Sequence, residues 1–392
     1  MIRTAFKIAI VTLPLLFLSS CVSMITDIAA DALVDLSPGE VREYQKTLDP
    51  YAELSKRSAI ILMTATDPEK LWKLQSKAPK GIENVAKPNY TNVATFTIPS
   101  FDGYEINCYV MYPKGYKENK LYPCIFFSHG GGFSTGDFNS YNYFCRKFAN
   151  NTNSIVFFYE YRLAPQYKFP YGVDDTWSVY TYLIDPKNKE EMEAYQIDTS
   201  KIVLLGDSSG GNFSSGLVIR LKENNLPLPK GVMLLYPAVD VSENLNYSKL
   251  AFGGVGTDSA HKYFTSMKYL SSVMNDYLED PKVDAYKPYA SPLIMLMGLL
   301  EVEGWDNKYK NYKAKLELPL DYFPPHFIVL PEVDALRDDG KMYDAVLKIL
   351  GAESTYKEYP GMMHVFTMFD GFVGGASNSM DDISNKIIEW VK

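Results

Sequence analysis

Cysteine and histidine are both scarce in this chain. Its 392 residues include four of each. No Cys-x-x-Cys pair and no His-Glu-x-x-His pattern occurs, so the spacing excludes the common zinc signatures. Apart from Cys21, the cysteines are Cys108, Cys124 and Cys145, an odd set, and the first two fall in strand-like runs. They read as free core thiols rather than a bridge. A chain of this length buries enough apolar surface to do without disulfide or metal staples. Basic blocks are missing too: 39 Lys and Arg stand against 47 Asp and Glu, for a net charge of −8, with no run of five or more basic residues. That excludes the electrostatic footprint of a nucleic-acid binder. Internal repeats and low-complexity tracts are absent. The remaining composition, 46% apolar and 22% charged, is that of an ordinary globular protein.

The chain begins MIRTAFKIAIVTLPLLFLSSC, in which Arg3 and Lys7 precede an apolar run from Ile8 to Leu18 and then small residues. This is the layout of a secretory signal, too short for a comfortable membrane span. Leu18-Ser19-Ser20-Cys21 resembles the lipobox of bacterial lipoproteins. The resemblance implies a signal peptide over 1–20, lipidation of the Cys21 thiol and a membrane contact through that anchor. Val22 offers no acid after the cysteine, which favours the outer membrane or cell surface over the inner membrane. One acyl chain, at about 0.8 kcal/mol per buried methylene, holds only marginally, whereas several hold firmly. The plainer alternative is a signal peptide with a chance cysteine.

Residues 21–90 read as a linker and N-terminal lid elements; PGEVREYQKTL at 38–48 suits a helix opening. The main domain spans 91–392. It starts with NVATFTIPSFDGYEINCYVMYP, whose alternation around Asp102-Gly103 predicts a hairpin. CIFFS, SIVFFY, KIVLLG, VMLLYP and HFIVL are continuous apolar runs, as expected of strands covered on both faces. Phe213, Leu217 and Leu221 share one helical face, as do Ile383, Ile387 and Val391. The expected fold is α/β, a mostly parallel central sheet with helices on both faces. Residues 243–320 break the rhythm. They are rich in Tyr, Lys and Asp and show no buried strand, which suggests either a lid over the carboxyl ends of the strands or a passive surface excursion.

VLLGDSSGGN, residues 203–212, runs a buried strand into Gly206-Asp207-Ser208-Ser209-Gly210. Gly-x-Ser-x-Gly between a strand and a helix is the context of a nucleophile elbow, a strained turn that lifts Ser208 to a helix N-terminus. The competing reading is a glycine-rich phosphate turn, but the loop has no lysine and no Gly-x-Gly-x-x-Gly spacing. A serine needs a base. His326 opens an apolar strand and reads as packed, His261 lies in the polar insertion, and His129 precedes three glycines. His364, past a strand-like run and a Pro-Gly turn, is the candidate base. Glu332, Asp334, Asp338 and Asp339 compete as its orienting acid. Gly130, Gly131 and Gly132 offer backbone N–H groups for an oxyanion.

Together these pieces resemble the hormone-sensitive-lipase-like carboxylesterases of the α/β-hydrolase superfamily. The matching segments are HGGGF at 129–133, YRLAP at 161–165, FPYGVDD at 169–175, GDSSGGN at 206–212, YPAVD at 236–240, YASPL at 289–293, DALRDDG at 334–340 and GMMHVF at 361–366. Coverage is about 95–392, loosest in the lid. The resemblance implies Ser208, Asp334 and His364 as the triad, Gly130, Gly131 and the Ser209 N–H as the oxyanion hole, and a structural His129. Ser209 stands where many relatives carry alanine, and 294–325 is longer than usual. The implied activity is hydrolysis of small carboxylic esters, with short acyl chains, without metal or organic cofactor. Alternatives on the same fold are a deacetylase of envelope or dietary glycans and a peptidase. An alternative of another class is a catalytically silent lipoprotein that binds a ligand.

Overall fold

The computed structural model describes residues 92–246, 248–249, 265, 267–298, 323–370 and 374–392. The expectations for 1–91, Cys21 among them, lie outside the described residues, as do His261 and the stretch 302–320.

Strands β1 (Val93–Pro99) and β2 (Glu105–Met111) form the expected hairpin, antiparallel, with Pro99 opposite Glu105. Gly103 in its turn takes φ +84°, a conformation that favours glycine. The apolar runs become β3 (Tyr122–Ser128), β4 (Ile155–Tyr159), β5 (Ile197–Asp207), β6 (Gly231–Leu235) and β7 (His326–Val333), with β8 (Ser354–Met363) last. The sheet order is β1-β2-β4-β3-β5-β6-β7-β8. β2 pairs antiparallel with β4, and every later pair is parallel.

Continuous apolarity follows from burial on both faces. Cys124 and Phe126 of β3 point into one core with Leu204 and Leu234, while Ile125 and Phe127 point into the other with Leu205 and Leu235. The first core is covered by α2 (Tyr171–Ile184), α4 (Ser209–Glu223) and α8 (Arg337–Ile349), the second by α1 (Phe138–Thr152) and α9 (Gly374–Val391). A short α3 (Lys189–Ala194) precedes β5. Phe213, Leu217 and Leu221 are buried in α4, and Ile383, Ile387 and Val391 in α9. The chain is thus α/β with a mostly parallel sheet between two helical layers. All three of Cys108, Cys124 and Cys145 are free and buried, and burial pushes each thiol well above its ordinary range.

YRLAP and FPYGVDD meet in a buried ion pair. The Arg162 guanidinium donates to Asp175 at 2.7 and 2.9 Å and reaches Asp102 of the hairpin loop at 2.6 Å. The aromatic rings of Tyr104 and Tyr171 flank it at 4.7 and 4.5 Å.

One segment departs from expectation. Pro360-Gly361, read as a turn, lies inside β8. β8 is an edge strand, where a missing proline N–H costs no ladder bond. Pairing steps from Pro331–Tyr359 to Val333–Met363, so Glu332 alone spans Pro360, Gly361 and Met362. Gly361 absorbs this bulge at φ +67° and donates its N–H to Glu332 Oε2 at 2.7 Å. The β6–β7 connection includes, among its described parts, α5 (Met267–Tyr277), α6 (Pro281–Asp284) and α7 (Pro292–Met297). α5 buries Leu270, Val273 and Tyr277, one helical stripe.

Candidate active site

Ser208, the His129–Gly132 loop, Asp334 and His364 each follow the carboxyl end of a strand, the edge of a parallel sheet where ligands bind. Ser208 sits between β5 and α4 with φ 52° and ψ −118°. For a residue with a Cβ that is a strained conformation, and the surroundings hold it. Its N–H donates to Leu235 O at 2.9 Å, and its carbonyl accepts from Gly211 and Ala238 at 3.0 Å each. The motif's glycines answer to close approaches. A Cβ on Gly206 would lie 2.3 Å from Gly210 O, and one on Gly210 only 1.9 Å from Ser128 O. α4 therefore starts hard against the sheet, with its positive end at the Ser208 hydroxyl.

His364 follows directly on β8, just past the bulge. His364 Nε2 is 2.9 Å from Ser208 Oγ, and its Nδ1 donates to Asp334 Oδ2 at 2.7 Å. Asp334 is fully buried, and its Oδ1 accepts from Leu336 N–H at 3.0 Å and from the Thr265 hydroxyl at 2.9 Å. The rival acids are engaged elsewhere. Glu332 caps the bulge through Gly361. Asp338 holds Arg337 Nε and Ser248 N–H, both at 2.9 Å. Asp339 faces Lys249 Nζ at 3.0 Å, and burial lifts its carboxyl to about 7.

His129 is buried away from Ser208's hydroxyl. Its Nδ1 donates to Gly130 O at 2.7 Å, and its ring stacks on Tyr161 at 4.2 Å. Burial draws its pKa down to about 4, so it is neutral at pH 7. Tyr161 donates to His129 O at 2.7 Å and fixes the loop. His326 is buried as well, with Nδ1 on Pro324 O at 2.7 Å.

One expected site residue is corrected. Gly130 N–H is committed to Asp207 Oδ1 at 2.7 Å and does not point at an incoming oxyanion. The cause is Asp207, the middle residue of Gly-Asp-Ser. A buried carboxylate needs donors, and Asp207 takes the Gly130 N–H and the Tyr141 hydroxyl, the latter at 3.0 Å. Gly131, Gly132 and Ser209 instead border a cavity that opens on Ser208 and His364. Phe133, Tyr269, Leu270, Val273, Met274 and Met368 give it an apolar wall, four of them from α5, and no Asp, Glu, Lys or Arg lines it among the described residues. Asp207, Tyr141 and Thr265 were not singled out by the sequence. For Asp207 the signal was available: an acid inside an otherwise apolar and small-residue run needs a partner.

A family model described as alpha/beta hydrolase fold matches residues 125–368, more than half of the chain. Carboxylesterase NlhH of Mycobacterium tuberculosis is 26% identical over 280 residues, 71% of this chain and 77% of that protein. Arylacetamide deacetylase of Bos taurus is 27% identical over 279 residues, 63% of this chain and 69% of that protein. Among solved structures, an esterase of Pyrobaculum calidifontis superposes with a TM-score of 0.67 at 26% identity, over 85% of this chain and 97% of that one. Sheet order, family match and likeness to esterases agree: the chain belongs to the alpha/beta hydrolase fold family and is a carboxylesterase-type hydrolase.

Proposed function

We propose that this hydrolase cleaves neutral carboxylic esters with short acyl chains through an acyl-enzyme on Ser208. Ser208 Oγ attacks the ester carbonyl as His364 Nε2 takes its proton, and Asp334 steadies the imidazolium that results. The oxyanion meets the N–H groups of Gly131, Gly132 and Ser209 at the start of α4. One such donor contributes about 2.7–4 kcal/mol, or 10²–10³ in rate. His364 then protonates the leaving alcohol oxygen. Water, deprotonated by His364, attacks the acyl-Ser208 carbonyl, and the carboxylic acid departs with Ser208 restored.

The observation that carries this reading is the unbroken relay of 2.9 Å and 2.7 Å from Ser208 through His364 to Asp334. The uncharged wall of the cavity supports neutral substrates, because a charged group placed there would lose water without gaining a partner. The likeness to a protein named arylacetamide deacetylase supports a second reading, in which acetylated amines are also cleaved. We further propose, on the Leu18-Ser19-Ser20-Cys21 pattern, that the mature chain is lipid-anchored at Cys21 in a bacterial cell envelope.

The test is a series of nitrophenyl esters of rising acyl length beside an acetanilide, with wild type and Ser208→Ala, together with labelling by a fluorophosphonate. Wild type is expected to label and to hydrolyse short esters fastest; Ser208→Ala should do neither at unchanged melting temperature. A Ser208→Ala variant that still turns over esters would defeat the acyl-enzyme, and a wild type that never labels would leave only a silent ligand-binding fold.

A further inference from the structure

The relay uses one oxygen of Asp334, yet the other is held as closely. Oδ1 takes one donor from its own turn, the Leu336 N–H, and one from a distant part of the chain, the Thr265 hydroxyl at 2.9 Å. The Thr265 proton has a defined direction. Thr265 Oγ1 already accepts the Ala335 N–H at 3.2 Å, so its own hydrogen points to the carboxylate. Thr265 is 1% exposed and Asp334 0%, so water does not replace either bond.

Thr265 also borders the cavity, two residues before α5. α5 supplies Tyr269, Leu270, Val273 and Met274 to the cavity wall. Leu270 packs in a small separate cluster with Ala238, Ala335 and Leu336, the residues beside Asp334 and Ser208's loop. Two independent features therefore tie the wall to the acid's turn: a hydrogen bond pair and an apolar cluster.

We propose that Thr265 is a positioning residue that couples the α5 wall of the substrate cavity to the orientation of Asp334, and through it to His364. This rests on the triad reading given above. The terminal torsion of an aspartate is soft and roughly two-fold. With the Leu336 N–H alone, the carboxyl group can turn about that bond and draw Oδ2 off His364 Nδ1. The second donor, fixed to a different segment, removes that freedom. Its loss should fall on the step in which the imidazolium forms, and leave ground-state binding of a neutral ester alone.

The experiment compares wild type, Thr265→Val, Thr265→Ser, Thr265→Ala and Ser208→Ala, as full chains, on 4-nitrophenyl acetate. Thr265→Val is expected to lower kcat by roughly tenfold to a hundredfold, the range of a lost hydrogen bond to a charged group, with KM within about twofold. Thr265→Ser, which keeps the hydroxyl, should recover most of kcat. If Thr265→Val does not fold by circular dichroism, Thr265→Ala against Thr265→Ser gives the same contrast. An unchanged kcat, a change confined to KM, or a serine variant as slow as the variant without hydroxyl overturns the coupling. Ser208→Ala separates the failures. Full activity in that variant would remove the triad itself, whereas an inert Ser208→Ala beside an unimpaired Thr265→Val overturns the coupling alone.

Discussion

Replacing Asp207 by asparagine should change the pH dependence of stability in a calculable way. Asp207 is fully buried between the Gly130 N–H and the Tyr141 hydroxyl. Burial raises its pKa from the ordinary 3.8 to about 6, even though both hydrogen bonds pull it down. An acid whose folded-state value lies above its unfolded value favours folding while protonated. That contribution is complete below pH 3.8 and is lost as pH rises through about 6. At about 1.4 kcal/mol per pKa unit, the loss is on the order of 3 kcal/mol. Asparagine has nearly the same shape, does not titrate, and keeps an oxygen for the Gly130 N–H. Stability of wild type relative to Asp207→Asn should therefore fall by roughly 2.4 kcal/mol between pH 4 and pH 7. Urea unfolding of both proteins at four pH values in that interval measures the difference directly. Titrating groups that do not sense the Asp207 charge cancel in the comparison; His364, which is coupled to it, does not cancel fully. A stability difference that stays flat from pH 4 to pH 7 would refute the buried, charge-disfavouring site assigned to Asp207. Asp207→Ala goes further and leaves two buried donors without acceptors, at about 1–3 kcal/mol each. It should loosen the glycine loop and reduce kcat more than Asp207→Asn does.

Asp334→Asn should lower kcat on the order of 10⁴-fold, because an amide reverses the hydrogen bond that fixes the His364 tautomer; steady-state assay on a nitrophenyl ester reads this, and a loss under tenfold would contradict the assigned role. Gly210→Ala should abolish activity and lower the melting temperature, since its Cβ would fall 1.9 Å from Ser128 O, a main-chain atom with no room to retreat. Arg162→Met should cost about 3–5 kcal/mol in urea unfolding by stranding a buried Asp175, with the remaining folded protein still active, because the pair lies outside the cavity.

What the sequence revealed and what it hid follow from how far apart the interacting atoms are along the chain. The elbow was legible because everything that defines it is local: an apolar strand, small residues two before and two after Ser208, and an amphipathic stripe from Phe213 to Leu221. The sheet was legible for the same reason, since burial on both faces leaves a continuous apolar run. The acid was not. Glu332, Asp334, Asp338 and Asp339 fall within eight residues, and only the end of β7 decides which one looks across at His364. Five residues separate the carboxylate that meets His364, Asp334, from the ion-pair partner of Lys249, Asp339. The Pro-Gly at 360–361 signalled a turn truthfully at the level of dihedral angles, but edge pairing absorbed it as a bulge just ahead of His364. Gly130 shows the same rule at the oxyanion loop. Three successive glycines are equivalent in sequence, and the choice among them is made by a carboxylate 77 residues away that needs the first N–H for itself. The strain at Ser208 is then set by neighbours from β3, β6 and α4 at once. A chain can carry every motif of this site and still fail as a catalyst if one of those distant donors is misplaced, so the chemistry depends on the sheet's carboxyl edge as a whole rather than on the motif that marks it.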